Sequence, residues 1–382
     1  MPTNNATPAL FTPLALGPIT LANRIMVSPM CQYSAVDGLL QDWHTQHYSA
    51  LALSGAGVLC IEATHTSSVG RITAGCVGLW NDAHEAAFKA LFTKLRALSP
   101  AKLMVQIAHA GRKGSSNPPW LGGQLVPADQ ANGWQTLAPS AVPHKIDEAA
   151  PVALTELDLD HIRTGFIQTA QRAVRAGADA IEIHAAHGYL LHQFLSPVAN
   201  RRTDDYGGSL ENRMRLPLQI IQAVRAAVPA HVAVGLRVSA TDWLEHLADT
   251  PSWTLVQTIE FVNRAKALGC DFVDVSTGGV SPLQKIEIKP AYQTPYATAI
   301  KLACGLPTVT VGMIAEPELA NAIIAEDKAD VVAMARGMLW NPRWGWHAAA
   351  ALGATVAAVP QYARSLPAGK NRVFGDVGFG MR

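Results

Sequence analysis

The chain has 382 residues, enough for two ordinary domains or one large α/β barrel. Apolar residues make up 49% of it and charged residues 15%, a balance that fits a compact enzyme and excludes a disordered chain. The 30 basic and 29 acidic residues nearly cancel and form no basic run, so neither nucleic acid nor an anionic membrane is expected as a partner.

Short apolar stretches recur along the chain, each followed by polar or glycine residues and then by a helical pattern. They read as eight strands, at 24–28, 57–61, 103–107, 180–183, 232–238, 272–276, 308–311 and 330–334. Near-continuous apolar strands alternating with helices indicate a parallel sheet covered by helices, and eight of them fit a (β/α)8 TIM barrel. The whole chain, 1–382, reads as a single domain. Residues 114–151 interrupt the third strand–helix unit with Gly, Pro and Trp, and read as an excursion over the barrel mouth. Thr155 and Asp158 form a capping pair before a helix over 157–176, whose apolar face carries Ile162, Phe166, Ala170 and Ala173. Gly55-Ala-Gly, Gly177-Ala-Asp and Gly269-Cys-Asp stand before strands, with Lys328-Ala-Asp as a variant. A glycine there closes the preceding helix in the left-handed conformation. Residues 354–382 form a tail beyond the eighth helix.

The five cysteines, Cys31, Cys60, Cys76, Cys270 and Cys304, are odd in number and scattered. They suggest no disulfide framework and no zinc or iron–sulfur spacing, and their simplest setting is a reducing cytoplasm. Met1 to Leu16 lacks a basic stretch followed by a long apolar one, so no signal peptide is expected. No apolar run is long enough to span a bilayer.

In such barrels the active site lies at the C-terminal ends of the strands. Those ends carry Pro29-Met30-Cys31, Glu62-Ala63-Thr64, Gln106 and His109, then His184, His187 and Tyr189, then Arg237, Ser276-Thr-Gly278, Gly312 and Arg336. His184-Ala-Ala-His187-Gly-Tyr189 is the most informative of them. A strand alternates its faces, so the chain is expected to leave the strand at His184 and turn if both histidines are to share one side. The pair reads in three ways: hydrogen-bonded structural histidines, metal ligands with Glu182 or His192 as a third, or two donors to a substrate oxygen. Tyr189 strengthens the last, because a phenol with a pKa of about 10 is protonated at neutral pH and can serve as an acid. Arg237, inside an apolar strand, calls for an acidic partner or an anionic ligand.

Together these strand ends resemble the old yellow enzyme family of flavin-dependent ene-reductases, over 10–350. The pieces that carry the resemblance are Leu21-Ala-Asn-Arg-Ile, Ser28-Pro-Met-Cys31, Gln106-Ile-Ala-His-Ala-Gly-Arg112 and His184-Ala-Ala-His-Gly-Tyr189. The longest is Ser196-Pro-Val-Ala-Asn-Arg-Arg-Thr-Asp-Asp-Tyr-Gly-Gly-Ser-Leu-Glu-Asn-Arg213. Cys31 with Tyr33 resembles the thermophilic-like bacterial branch; other branches usually carry threonine in place of Cys31. The resemblance implies a bound FMN on top of the barrel, reduced by NADPH in ping-pong fashion. Ser28, Pro29, Met30 and Cys31 would line the isoalloxazine, and Ala63 and Gln106 would meet its polar edge. Arg237 would stand by its pyrimidine end. Gly312, Met313, Ala335 and Arg336 would hold the phosphate, the family usually having glycine in place of Ala335. The substrates implied are small activated alkenes: enals, enones, maleimides and nitroalkenes. His184 and His187 would donate to the activating oxygen with Tyr33 assisting, and Tyr189 would protonate the alkene carbon. In the same branch a tail arginine reaches a neighbouring subunit's site, which implies a homodimer or homotetramer with Arg364 in that role. A metal-dependent barrel hydrolase and a non-catalytic flavin-binding protein are the alternatives; no metal is expected.

Overall fold

The computed structural model describes residues 7–366 and 373–375. Eight parallel strands close into a barrel in chain order. They are β1 Ile25–Val27, β2 Val58–His65, β3 Lys102–Ala108, β4 Ala180–Ala185, β5 Ala233–Ser239, β6 Phe272–Ser276, β7 Thr308–Val311 and β8 Val331–Met334. All eight expected strands are present, displaced at their ends by no more than a few residues. The displacement at β4 matters: the strand does not stop before His184 but pairs with β5 through Ala185.

The packing has two layers. Inside the barrel, Met26, Val58, Met104, Phe272 and Val331 form one apolar cluster. A short hairpin, Leu14–Leu16 with Ile19–Leu21, adds its own leucines and Ile19 to that cluster and closes one end. The other apolar face of each strand meets the surrounding helices, α1 Asp42–Ala52, α2 Asp82–Leu98 and α3 Glu156–Ala176 among them. The chain continues with α4 Leu190–Leu195, α5 Leu210–Ala227, α6 Leu255–Ala267, α7 Thr294–Cys304, α8 Pro317–Ala325, α9 Arg336–Trp340 and α10 Trp344–Leu352. Among the described residues, no helix is long and apolar enough to cross a membrane.

Helix α3 forms where its local chemistry directs it. Thr155 Oγ1 accepts the Asp158 N–H at 3.3 Å, and Asp158 Oδ2 accepts the Thr155 N–H at 2.8 Å. Two of the orphan donors of the first turn are thereby satisfied. Ile162, Phe166, Ala170 and Ala173 are buried, and Gly177 ends the helix at φ +111°. The Lys328 variant of this junction behaves differently: the left-handed residue is Asp327, at φ +58°, one position earlier.

The 114–151 excursion is mostly irregular, with one 3-10 turn at Pro119–Leu121. It is tied down where Leu137–Ala138 pairs with Val152–Ala153. The tail forms a 3-10 turn, Pro360–Ser365, and folds back on α10: the Val356 N–H donates to Val373 O, and the Phe374 ring lies 4.8 Å from that of Trp346. The path expected through 376–382 lies outside the described residues. Thr155→Ala is expected to cost about 1 kcal/mol, as loss of a cap does. It should lower the urea midpoint with no change in slope.

Candidate active site

Parallel register assembles the core of the site. His184 on β4 stands beside Arg237 on β5, and Arg237 beside Asp274 on β6. One residue pair lower, Gln106 on β3 stands beside Glu182 on β4. Side chains at these positions form layers across the barrel. Arg237 Nε lies 3.1 Å from Asp274 Oδ2, and Gln106 Nε2 donates to Glu182 Oε1 at 2.7 Å. Arg237 thus has the acidic partner its strand called for. Gln106, expected at a flavin edge, commits one amide N–H to Glu182 in the barrel interior and keeps a second. Burial raises the Glu182 carboxyl well above the usual range, and the neighbouring Asp274 adds to the rise.

Beyond Ala185 the chain makes a turn in which His187 (φ +57°) and Gly188 (φ +72°) are both left-handed. A β-carbon on Gly188 would stand 2.1 Å from Gly279 O, so only glycine fits there. Every backbone polar group of the two turn residues is satisfied by a side chain. The His187 N–H donates to Ser239 Oγ (2.9 Å), and Lys113 Nζ donates to His187 O (2.8 Å). The Gly188 N–H donates to His192 Nδ1 (2.9 Å), and Gln193 Nε2 donates to Gly188 O (2.7 Å). His192 is itself fixed through Nε2 by Asp242 Oδ1 at 2.9 Å. It faces a buried carboxylate, and among the described residues no group of three His, Cys, Asp or Glu could hold a metal ion.

The turn sets the rings against one another. The His184 ring stands edge-on to that of His187, centres 5.2 Å apart, and edge-on to that of Tyr189 at 5.0 Å. Burial, reinforced by Arg237, holds both histidines well below their ordinary pKa, so each is neutral. Hydrogen bonding then assigns their tautomers. His184 Nδ1 accepts the Ala186 N–H at 3.2 Å, which puts the proton on Nε2. For His187 the assignment comes from further away. Gln293 Nε2 donates to Val311 O, so its Oε1 accepts from Ser276 Oγ at 3.1 Å. Ser276 Oγ therefore accepts from His187 Nε2, at 2.7 Å. Both rings carry the proton on Nε2, but only that of His184 is uncommitted. Burial raises the Tyr189 phenol well above 10 and does the same for Tyr33, so both stay protonated.

At the ends of β7 and β8 a cavity of about 230 Å³ is lined by Arg237, Ser276, Gly312, Met313, Ala335 and Arg336 among others. Gly312 (φ +128°) and Met313 (φ +53°) hold left-handed backbone there. Ala335, at φ −103° and ψ −89°, lies outside the main α and β regions, so the residue that replaces the family's usual glycine holds sparsely allowed backbone. Arg336 is exposed, and among the described residues its guanidinium meets only the Met313 sulfur, at 3.7 Å. A cation with so weak a partner suits a phosphate group. Pro29, Met30 and Cys31 are half-buried at the barrel mouth. The Ser28 hydroxyl is buried with no partner among the described residues. A cradle for an anionic group, a partnerless hydroxyl and part-covered apolar residues together fit the flavin expected from the sequence.

Glu62 was not singled out in the sequence beyond its place at a strand end. Glu62 and Ala63 together stand opposite Gln106, a bulge in β2. Glu62 Oε2 accepts the Gln32 N–H at 2.9 Å and Oε1 accepts the Tyr48 hydroxyl at 2.9 Å, which anchors the Cys31–Tyr33 segment. The Cys31 thiol is hydrogen-bonded to Cys76 and raised well above its ordinary pKa by that bond and by burial. Tyr33 (φ +51°) turns its ring edge-on to Trp120 of the excursion at 5.6 Å. Arg364 is not brought to this chain's own site: it is exposed on the tail turn.

The longest motif has a supporting task. Asn200 Nδ2 donates to Phe194 O and Tyr206 O, the Ser196 hydroxyl to Asp242 Oδ2, and Ser209 caps α5. It braces the segment that holds the His187–Gly188 turn.

Burial pushes Glu62 from an ordinary 4.5 up to about 8. A carboxyl raised in this way favours folding fully below its unfolded pKa, and that contribution is lost as pH rises through about 8. In calorimetry the Tm of the unaltered protein, taken relative to that of Glu62→Gln, should therefore fall between roughly pH 5 and pH 8, a comparison in which the opposing contribution of the buried histidines cancels. Identical pH profiles for the two proteins would contradict the assignment.

A family model described as the NADH:flavin oxidoreductase / NADH oxidase family matches residues 9–353. The chain is 42% identical to a NADH:flavin oxidoreductase of Gibberella zeae, over 87% of this chain and 83% of that one. It is 40% identical to an NADPH dehydrogenase of Listeria innocua, over 93% and 98%. Among solved structures it is similar to morphinone reductase, with a TM-score of 0.72 and 28% identity over 94% of each chain.

Proposed function

The chain belongs to the NADH:flavin oxidoreductase / NADH oxidase family, as an old yellow enzyme-type flavin oxidoreductase, and we propose that it reduces the C=C bond of alkenes activated by a carbonyl or nitro group. NADPH is the proposed reductant, and enals, enones, maleimides and nitroalkenes are the proposed acceptors. The observation that carries this reading is the uncommitted Nε2–H of a neutral His184, edge-on to a protonated Tyr189. One group that can grip an oxygen thus stands next to one that can deliver a proton.

Bound FMN supplies the hydride chemistry. Ser28, Pro29, Met30, Cys31, Ala63, Gln106 and Arg237 would hold its ring system, and Gly312, Met313, Ala335 and Arg336 its phosphate. The remaining work falls to side chains of this chain. His184 donates through Nε2 to the activating oxygen, where negative charge gathers as the double bond is attacked. A donor fixed before the charge develops costs no reorganisation at that moment. His187 joins it if the substrate oxygen competes with Ser276 for the Nε2 proton. Tyr33 lies on the excursion side of the pocket and orients the substrate. Tyr189 then gives its phenolic proton to the carbon adjacent to the activating group; its raised pKa keeps that proton in place until a stronger base forms. We further propose a homodimer or homotetramer in which the exposed Arg364 enters a neighbouring subunit's site.

His184→Ala should keep the flavin's visible absorbance while losing about a hundredfold or more in enone turnover. Unchanged turnover would remove the oxygen-gripping role. Tyr189→Phe, followed by stopped flow, should slow reoxidation by an enone far more than reduction by NADPH. Equal slowing of both half-reactions would contradict its role as the acid.

A further inference from the structure

Arg112 and Lys113 have no part in the steps above, yet the first is buried and the second half-buried, and both place charge beside them. Both sit on the 3-10 turn that follows β3, Gly111–Lys113. Their donors reach backbone carbonyls: Arg112 those of Val142, Pro143 and Val280, and Lys113 those of His187 and Gly279. Arg112 is only 4% exposed, and its Nε has no acceptor among the described residues. Lys113 has three N–H donors for two carbonyls. Buried charge that is only partly countered is costly. Burial draws Lys113 down to about 8 and Arg112 down to about 10, which leaves both charged at neutral pH.

These two cations line a cavity of about 190 Å³ together with Tyr33, His144, Lys145 and Glu148. Glu148 offsets them only in part, because it is shared with Lys145, Oε1 to Nζ at 3.4 Å. Burial and the neighbouring cations hold His144 at about 3, so it adds no charge, and its Nδ1 is buried without a partner. The cavity therefore carries an excess of positive charge and unused donors. It also adjoins the chemistry: Lys113 Nζ lies 5.1 Å from the centre of the Tyr189 ring.

We propose that this cavity is an anion subsite for a carboxylate carried by the alkene substrate itself, within a few bonds of the double bond. The inference rests on the ene-reductase reading. A carboxylate oxygen bonded to Lys113 would lie about 2.8 Å from Nζ, close to the carbon that Tyr189 protonates. The cavity is smaller than the roughly 300 Å³ at which drug-sized ligands are held, which suits a small acid rather than the phosphate and ribose of a nucleotide.

The test uses the flavin-loaded protein and a matched pair: acetylacrylate, whose double bond is flanked by a ketone and a carboxylate, and its methyl ester. An ester withdraws electrons more strongly than a carboxylate, so intrinsic reactivity favours the ester and any preference for the acid belongs to the protein. The acid is expected to exceed the ester in kcat/KM by about tenfold or more. Lys113→Gln keeps a donor for the carbonyls but removes the charge, and should carry the ratio toward one; losses common to both compounds cancel. Lys145→Gln, at a side chain 44% exposed, tests the rim without touching the buried clamp and should lower the ratio severalfold. Calorimetry with levulinate, the saturated product, and its methyl ester gives a readout without turnover, in which the acid binds more tightly. Equal use of acid and ester by the unaltered protein, or a ratio unmoved in both variants, overturns the subsite. So does a raised KM for NADPH with an unmoved ratio, which assigns the cations to a nucleotide phosphate. If a neutral cyclic enone is reduced without acid preference elsewhere, only the subsite fails; if no enone is reduced at all, the ene-reductase reading fails.

Discussion

The parallel register of three neighbouring strands is the constraint on which the site depends. It sets His184, Arg237 and Asp274 side by side in one inward-facing layer. A slip of one residue in any of these strands would turn its side chain to the helix side. Two things guard the register. Apolar residues on the opposite face of each strand are buried against helices, and Asp274 supplies the counter-charge without which Arg237 would be costly to bury. The site is thus positioned by the same packing that closes the barrel.

Desolvation then decides what each group can do. It keeps His184 and His187 neutral, and a neutral imidazole has one proton to give. Where that proton sits is fixed by hydrogen bonds that begin at the backbone: the Ala186 N–H for one ring, and Val311 O through Gln293 and Ser276 for the other. The same loss of water keeps Tyr189 protonated and renders Glu62 a neutral hydrogen-bonding strut beneath the Cys31 segment. The two histidines look equivalent in the sequence, yet their environments differ, and one is free to donate while the other must exchange a partner.

Much of this was legible in the chain. The strands follow from apolar runs buried on both faces, and α3 from its cap and its period. The need for a turn near His187-Gly188 follows from strand alternation, although the strand runs two residues further than expected because Ala185 still finds a partner in Val238. The groups that hold the turn were not legible. Lys113 is 74 residues from His187, and Ser276 is 89 residues away. Such contacts exist only once the barrel has closed, and no local spacing announces them. The position of Arg364 on its own chain was also beyond local pattern, since the tail folds back on α10 through Phe374 and Tyr362. The longest and most specific motif proved to be scaffolding, which shows that a distinctive sequence can mark a demanding geometry instead of a reacting group.

The excursion between β3 and α3 leaves the molecule with a division of labour. The strand ends carry the groups that fit the flavin, whereas Trp120, set against Tyr33, and the cavity-lining His144, Lys145 and Glu148 come from a segment that contributes no strand to the barrel. Such a segment can drift in length and composition at little cost to the barrel. Divergence of this lineage toward new molecules would then proceed by rewriting a lid, with the redox apparatus inherited intact. A chimaera that exchanges this one segment with a relative's is accordingly a transplant of taste rather than of chemistry.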